Sequence, residues 1–278
     1  MIVYFNDHFI PKEEVKIFPD DRGFLFADGA YEVIRAYNGK LFRADSHLQR
    51  LARSLRELRL DGPDKENFRD IAEQLVQDNK LEDGEVLVYI QVTRGVAPRR
   101  HAFPGNDTPS TVYVTATPFQ PPHAEMKQGV KIILVPDIRW ARCDIKSIAL
   151  LPNVLANQQA KENGVAEAIF VRDGAITEGT HTNFCAVFDG ELVTYPQNNY
   201  ILAGITRSVV LDLCRELNIP IREFPIFERD LKKADELMLT STTSEVTPVV
   251  QVEDWQVGDG KPGPITTTLQ QAFRELTY

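Results

Sequence analysis

Between Arg142 and Asn153 the chain reads RCDIKSIALLPN, with Lys146 placed just before the apolar run Ile148 to Leu151. An ammonium group drawn out of water loses its proton more readily, and the neutral amine condenses with an aldehyde or ketone. Left in water, the same Lys146 is an ordinary solubilising charge. A second candidate is Glu178 in GAITEGTHTN, at a strand end beside a glycine-threonine turn. A carboxylate there either accepts nearby backbone N–H groups or faces a ring nitrogen, keeping the ring protonated so that it draws electron density from a substrate carbanion. LAGITRSVV sets Gly204, Ile205 and Thr206 at a helix start, and TSTTSE, Thr240 to Glu245, gathers hydroxyls at another strand end. Both suit a phosphate, although threonines at helix starts also serve as plain caps. Arg50 is either a positive partner for that phosphate or a solvated arginine. In TRGVAPRRHAFPG, Arg99 and His101 have the donors to hold a carboxylate, or they belong to an exposed basic loop.

These residues need elements to position them. IVYFNDHFI reads as a hairpin turning at Asn6-Asp7, and AYEVIRAYNGKLFRA as another turning at Asn38-Gly39. In DSHLQRLARSLRELRL, Leu48, Leu51, Leu55 and Leu58 recur at helical spacing, with Asp45 or Ser46 as the cap. A further helix covers Glu66 to Asn79, and strands fall at EVLVYIQVTRG and STVYVTATPF with a glycine- and proline-rich loop between them. The prolines of TPFQPPHAEM mark a connector, which divides the chain into 1–120 and 121–278. The second part opens on the strand GVKIILVPDI, followed by a helix from about Asn153 to Asn163 ending at Gly164. Three strands fit AEAIFVRDGAITEGTHTNFCAVFDGELVTYP, and Val209, Leu213 and Leu217 form the buried stripe of the helix in GITRSVVLDLCRELNIP. ELMLTSTTSEVTPVVQVED and a final helix in PITTTLQQAFRELTY complete an α+β pattern.

Composition narrows the function classes. The 278 residues are 43% hydrophobic, enough for packed cores, and 31 basic against 40 acidic residues give a net charge of −9. With no long basic stretch, nucleic acid is not an expected partner. No segment approaches the roughly 18 apolar residues of a spanning helix, and no basic start leads into an apolar run, so no membrane association and a cytoplasmic location are expected. Cys143, Cys185 and Cys214 form no CxxC pair and have no histidine cluster beside them, which suggests reduced thiols and no metal site.

Taken together, DRGFLFADGAYEVIRAYNG, HLQRL, VTRGVAPRRHAFPG, DIRWARCDIKS, ITEGTHTNFCAV, LAGITR and TSTTSEVTPV resemble the fold-type IV pyridoxal-phosphate-dependent aminotransferases. The D-amino-acid aminotransferases among them are the most similar. The stretches cover most of the chain in the family's order. The resemblance implies a small N-terminal α/β domain, a larger C-terminal domain with a β-barrel-like core, an active site between them holding pyridoxal 5'-phosphate, and a homodimer. It makes Lys146 the Schiff-base lysine and Glu178 the partner of the pyridine nitrogen. Arg50, Ile205, Thr206 and Thr242 would hold the phosphate, and Leu202 would pack on the ring. Tyr31, Arg99 and His101 would trap the substrate carboxylate, the last two donated across the dimer, with Arg139 in support. Three positions depart from the family pattern. Ala27 stands where a glycine is expected, Arg100 adds a charge to the carboxylate loop, and His181 interrupts a serine-rich turn.

The implied reaction moves an amino group from D-alanine or D-glutamate to 2-oxoglutarate or pyruvate, with Lys146 carrying the Cα proton. Branched-chain L-amino-acid transamination is the nearest alternative and should lean less on Arg99 and His101. Aminodeoxychorismate lyase activity would release pyruvate without an amino acceptor. A non-catalytic metabolite-binding or dimer-scaffold protein would lack the coloured, borohydride-reducible linkage at Lys146.

Overall fold

Alternating apolar residues pair into sheets on both sides of residue 120. The computed structural model describes residues 1–60, 65–105 and 107–277. They form two compact units, Met1–Gln120 with Ile145–Leu150, and Pro121–Asp144 with Leu151–Tyr278. The stretch carrying Lys146 thus completes the first unit, although its sequence neighbours belong to the second.

The first unit contains β1 (Ile2–Phe5), β2 (His8–Pro11), α1 (Arg22–Phe26), β3 (Gly29–Tyr37), β4 (Lys40–Leu41), α2 (Ala44–Glu57), α3 (Lys65–Asp78), β5 (Glu85–Thr93) and β6 (Thr111–Pro118). Its antiparallel sheet runs β2-β1-β6-β5-β3-β4, and both expected hairpins are present. Leu48, Leu51 and Leu55 of α2 and Phe68 and Leu75 of α3 pack on Ile34, Val88 and Ile90 of the sheet. Each such side chain contributes about 1.5–3 kcal/mol by leaving water. Leu58 lies just past the last turn of α2 and is only partly buried. The cap differs from expectation. Arg43, at φ 52°, precedes α2 without a side-chain cap, so Asp45 falls within the first turn and pairs with Arg69 at 2.6 Å. There its charge complements the helix dipole. Ala27 ends α1 at φ 53°, in the left-handed region, where a Cβ costs roughly 1–2 kcal/mol relative to glycine.

The second unit contains α4 (His123–Gln128), β7 (Val130–Pro136), α5 (Leu151–Glu162), β8 (Glu167–Arg172), β9 (Ala175–Gly179), β10 (Asn183–Phe188), β11 (Glu191–Thr194), α6 (Ile205–Glu216), β12 (Ile221–Glu223), β13 (Ile226–Phe227), β14 (Glu236–Ser241), β15 (Glu245–Val252), β16 (Trp255–Gln256) and α7 (Pro264–Glu275). Strands β10-β14-β15-β7-β8-β9 pair in that order, and β9 pairs back to β10 to close the ring. The barrel-like core is therefore a closed circuit of six strands, filled by Ile132, Ile169, Ile176, Phe184, Leu237 and Leu239. Outside it, Ala156 and Ala160 of α5 pack on Val135, Ala168 and Phe170. Where three strands are expected between residues 166 and 196, four form, because the turn at 180–182 breaks the middle run into β9 and β10. Val209 and Leu213 of α6 are buried as expected. Leu217 is exposed, since it follows the last helical residue and leaves the stripe.

Candidate active site

Lys146 is fixed in the first unit through its backbone. Its carbonyl accepts from Tyr31 N at 3.0 Å, and its own N–H donates to the buried Ser54 Oγ at 3.1 Å. Ile148 N donates to Gly29 O, and a Cβ at Gly29 would lie 2.5 Å from Val92 O and 3.1 Å from Ile148 Cδ1. Only glycine admits this close approach. The half-buried Lys146 has its Nζ 4.3 Å from the centre of the Tyr31 ring, which brings two of the expected residues together.

Under α2 lies a charge cluster that sequence reasoning named only in part. Arg50 donates Nε and Nη2 to Glu32 at 2.9 and 2.7 Å, and His47 Nδ1 lies 3.0 Å from the same carboxylate. Burial alone would raise the Glu32 carboxyl, but Arg50 and His47 hold it far below the usual carboxylate range. Burial pushes His47 down against the pull of Glu32. Arg50 is therefore a buried, oriented cation and not a solvated one. Glu32 and His47 were missed because they sit in an apolar strand and an amphipathic helix with no motif of their own.

Arg99, Arg100 and His101 are exposed on the loop after β5. That loop is tied down from within, since the buried Arg22 donates Nη1 to Arg100 O at 2.6 Å and Nε to Asp28 at 2.8 Å. Arg94 grips the same Asp28 at 2.8 and 2.9 Å, and its guanidinium covers the Phe103 ring at 3.7 Å. Burial would raise the Asp28 carboxyl, but the two arginines win and hold it below the usual range. Phe26 of α1 lies 5.1 Å from the Arg99 guanidinium and 5.6 Å from the His101 ring, so one aromatic supports both.

In the second unit, a bulge decides where Glu178 points. Ile169 pairs with Gly179, but Val171 pairs with Ile176, so β9 carries one extra residue opposite β8. A bulge re-aims the side chains beside it. Ile176 fills the barrel, whereas Glu178 faces outward and accepts from Arg139 Nη1 at 2.6 Å, Asn183 Nδ2 at 3.0 Å and Leu202 N at 2.9 Å. Burial pushes the Glu178 carboxyl up, with Arg139 pulling the other way. Asp137 accepts from Arg139 Nε and Nη2, both at 2.9 Å. Leu202 thus meets Glu178 through its backbone, and its carbonyl also accepts from Asn183 at 3.0 Å.

Close by, Gly204 caps the start of α6 without a side-chain hydrogen bond, leaving the first N–H groups at Ile205 and Thr206 to other partners. Arg207 anchors this turn by donating to Tyr195 O at 2.9 Å and Glu223 at 2.7 Å. Thr242 lies in the turn between β14 and β15, where Ser241 Oγ is 3.2 Å from Thr243 Oγ1 and 2.8 Å from Ser244 Oγ. His181 sits in the turn after Glu178, with Nδ1 3.1 Å from the buried Glu167 and 3.0 Å from Thr180 Oγ1. Asn153 and Asn157 of α5 hold Thr180 at 2.8 and 3.1 Å, so the serine-poor turn is firmly built. Ile205, Thr206, Leu202, Glu178 and Arg139 therefore gather around one end of the ring. Tyr31, Arg50, Arg99, His101 and Lys146 belong to the first unit.

A closed six-stranded ring, an outward carboxylate beside an uncapped helix start and a backbone-locked lysine define a class. The chain belongs to the class IV aminotransferases, whose family model matches residues 29–252. It is 44% identical to the D-alanine aminotransferase of Staphylococcus haemolyticus over 98% of this chain and 96% of that one. With the Bacillus licheniformis D-alanine aminotransferase it is 42% identical over 99% and 96%. Among solved structures, an Escherichia coli branched-chain amino acid aminotransferase matches with a TM-score of 0.92 at 26% identity, covering 99% of this chain and 94% of that one. A branched-chain aminotransferase from the archaeon Thermoproteus uzoniensis, solved with norvaline, matches with a TM-score of 0.89 at 27% identity and the same coverage of 99% and 94%. Among the described residues, no helix is long and apolar enough to cross a membrane.

Proposed function

We propose that this chain catalyses pyridoxal-phosphate-dependent transamination of D-amino acids such as D-alanine and D-glutamate, with 2-oxoglutarate or pyruvate as acceptor. The observation that carries this reading is the 44% identity to a D-alanine aminotransferase along nearly the whole of both chains. The branched-chain enzymes match in fold along nearly the whole chain but are only 26% and 27% identical in sequence.

The chemistry of the donors fits the cofactor. Glu178 offers a carboxylate to a protonated pyridine nitrogen, and the uncapped start of α6 with the hydroxyl-rich Ser241–Ser244 turn offers donors to a phosphate. When bound, pyridoxal phosphate supplies a carbonyl carbon that takes up the amino group and a ring that stores the electron pair left by the Cα proton. Lys146 Nζ anchors that group and moves the Cα proton. Glu178, held by Arg139, Asn183 and the Leu202 N–H, keeps a proton at the ring nitrogen. Ile205, Thr206 and Thr242 would hold the phosphate, with Arg50, oriented by Glu32, adding positive charge, and Leu202 would cover the ring. Tyr31, Arg99 and His101 bind the α-carboxylate and so select the face of Cα presented to Lys146.

Steady-state turnover of D-alanine with 2-oxoglutarate tests the reading directly, with pyruvate and D-glutamate expected as products. Preference for L-leucine as donor, or pyruvate release without an acceptor, would replace it by one of the alternatives. Arg99→Ala should raise KM for α-carboxylated substrates roughly ten- to a hundredfold, the value of a hydrogen bond to a charged group, and an unchanged KM would remove Arg99 from the carboxylate trap.

We also propose that the enzyme is a homodimer in which Arg99 and His101 serve the partner's site. Support comes from their exposure and from Leu151, Val154 and Leu155, which are 68%, 58% and 56% exposed on one stripe of α5. A double substitution, Leu151→Lys with Val154→Lys, should convert a dimer to a monomer in sedimentation velocity. A wild-type protein that sediments as a monomer would refute the assembly.

A further inference from the structure

Arg139 is held between two carboxylates. Its Nη1 donates to Glu178 at 2.6 Å, while Nε and Nη2 donate to Asp137 Oδ1 and Oδ2, both at 2.9 Å. The Asp137 side chain is fully covered, and its Oδ2 also accepts from Arg172 Nε at 3.0 Å. The intervening Ile138 is 67% exposed, so the chain turns Asp137 and Arg139 to the same inner side. Two carboxylates against two guanidiniums leave this group neutral. The Cys143 thiol feels the same charges, but burial pushes it up to about 11, so it adds none of its own.

Paired with Arg139 alone, Glu178 would be poorly suited to its proposed task. A guanidinium does not give up its proton, and a cation beside a carboxylate weakens that carboxylate's hold on a proton. Asp137 offsets this. Burial raises the Glu178 carboxyl, Arg139 draws it down, and the charge of Asp137 pushes it up again. The fork of two N–H···O bonds also fixes the plane of the guanidinium, so Nη1 stays aimed at Glu178. Nothing in the run DIRW marks Asp137 for such a part, and only its partners reveal it.

We propose that Asp137 is a positioning residue whose negative charge, acting through Arg139, leaves Glu178 able to hold a proton on the ring nitrogen of bound pyridoxal phosphate. This inference rests on the reading that Glu178 faces that nitrogen.

Asp137→Asn removes the charge and keeps the shape. Wild-type and variant proteins are loaded with pyridoxal phosphate isotope-labelled at the ring nitrogen, and the nitrogen NMR shift is followed against pH as a report of ring protonation. Asp137→Asn should lower the proton affinity of that nitrogen roughly ten- to a hundredfold, the effect of one unbalanced charge close to the titrating pair. Adding Arg139→Gln to Asp137→Asn removes the unbalanced cation and should restore most of the lost affinity. Damage to the fold would not be repaired by deleting a second partner. A proton affinity in Asp137→Asn within about twofold of wild type, or a double variant no better than the single one, overturns the proposal. Should Asp137→Asn alone fail to fold, Arg139→Gln is compared with the double variant, and equal affinities in those two overturn it as well. If neither protein carrying Asp137→Asn folds, the carboxylate serves the fold and the proposal falls. If wild-type protein does not bind pyridoxal phosphate, or binds it with the ring nitrogen unprotonated at neutral pH, the reading of Glu178 falls and this inference falls with it.

Discussion

Lys146→Ala should reduce transamination by roughly ten-thousandfold or more while leaving the fold in place, because it removes the amine we propose as the cofactor's anchor and the carrier of the Cα proton. Retention of the fold follows from how the segment is held. The contacts that fix residues 145–150 are made by backbone groups, Lys146 N to Ser54 Oγ, Tyr31 N to Lys146 O and Ile148 N to Gly29 O, and alanine preserves all of them. The approach of Nζ to the Tyr31 ring and the influence of its charge on the buried His47 are lost. The check is turnover with D-alanine and 2-oxoglutarate alongside a thermal melt of the same preparation. Near-wild-type turnover, with contaminating activity excluded, would remove Lys146 from its assigned role.

Glu178→Gln should cost roughly a hundred- to a thousandfold in turnover, the range seen when one preorganised electrostatic partner of a reaction is deleted. The substitution is nearly isosteric but cannot satisfy its neighbours. Glu178 Oε1 accepts from Arg139, and Oε2 accepts from both Asn183 and the Leu202 N–H. Either orientation of a glutamine amide sets its NH2 against one of these donors. Asp137 still partners Arg139, so the loss of stability should stay at about 1–3 kcal/mol. A melting temperature that falls modestly while turnover collapses assigns Glu178 to chemistry. Comparable turnover to wild type would make it a structural carboxylate.

The elements that position these groups were legible in the sequence to the extent that periodicity and turn chemistry set them. Asn38-Gly39 and the leucine repeat of α2 were enough to find the hairpin and the helix. The cap of α2 was not, because Arg43 takes the left-handed position that glycine or asparagine more often fills. Three strands were expected over residues 167–194, and the fourth depends on the turn at Thr180, which is held by Asn153, Asn157 and Glu167 from elsewhere in the chain. No local pattern reports such support. The same holds for the bulge that turns Glu178 outward, since two residues opposing one is a property of the pairing and not of β9 alone. Lys146 itself was readable as a candidate, while its attachment to the first unit rests on a bridge between Ala30 and Ser147 that no spacing rule would supply. Glu32, His47, Asp28 and Arg22 escaped notice for a related reason. Each is a polar residue inside an apolar or amphipathic run, and its role becomes visible only once its partner is beside it.

The central claim, that this chain takes the amino group from D-amino acids onto pyridoxal phosphate, is tested most directly by a single-turnover screen. Purified holoenzyme is mixed with D-alanine, D-glutamate or L-leucine in the absence of acceptor, and the cofactor absorbance is followed. D-alanine and D-glutamate should each convert it to the aminated form, with L-leucine much slower. Faster conversion by L-leucine than by both D-amino acids would contradict the account.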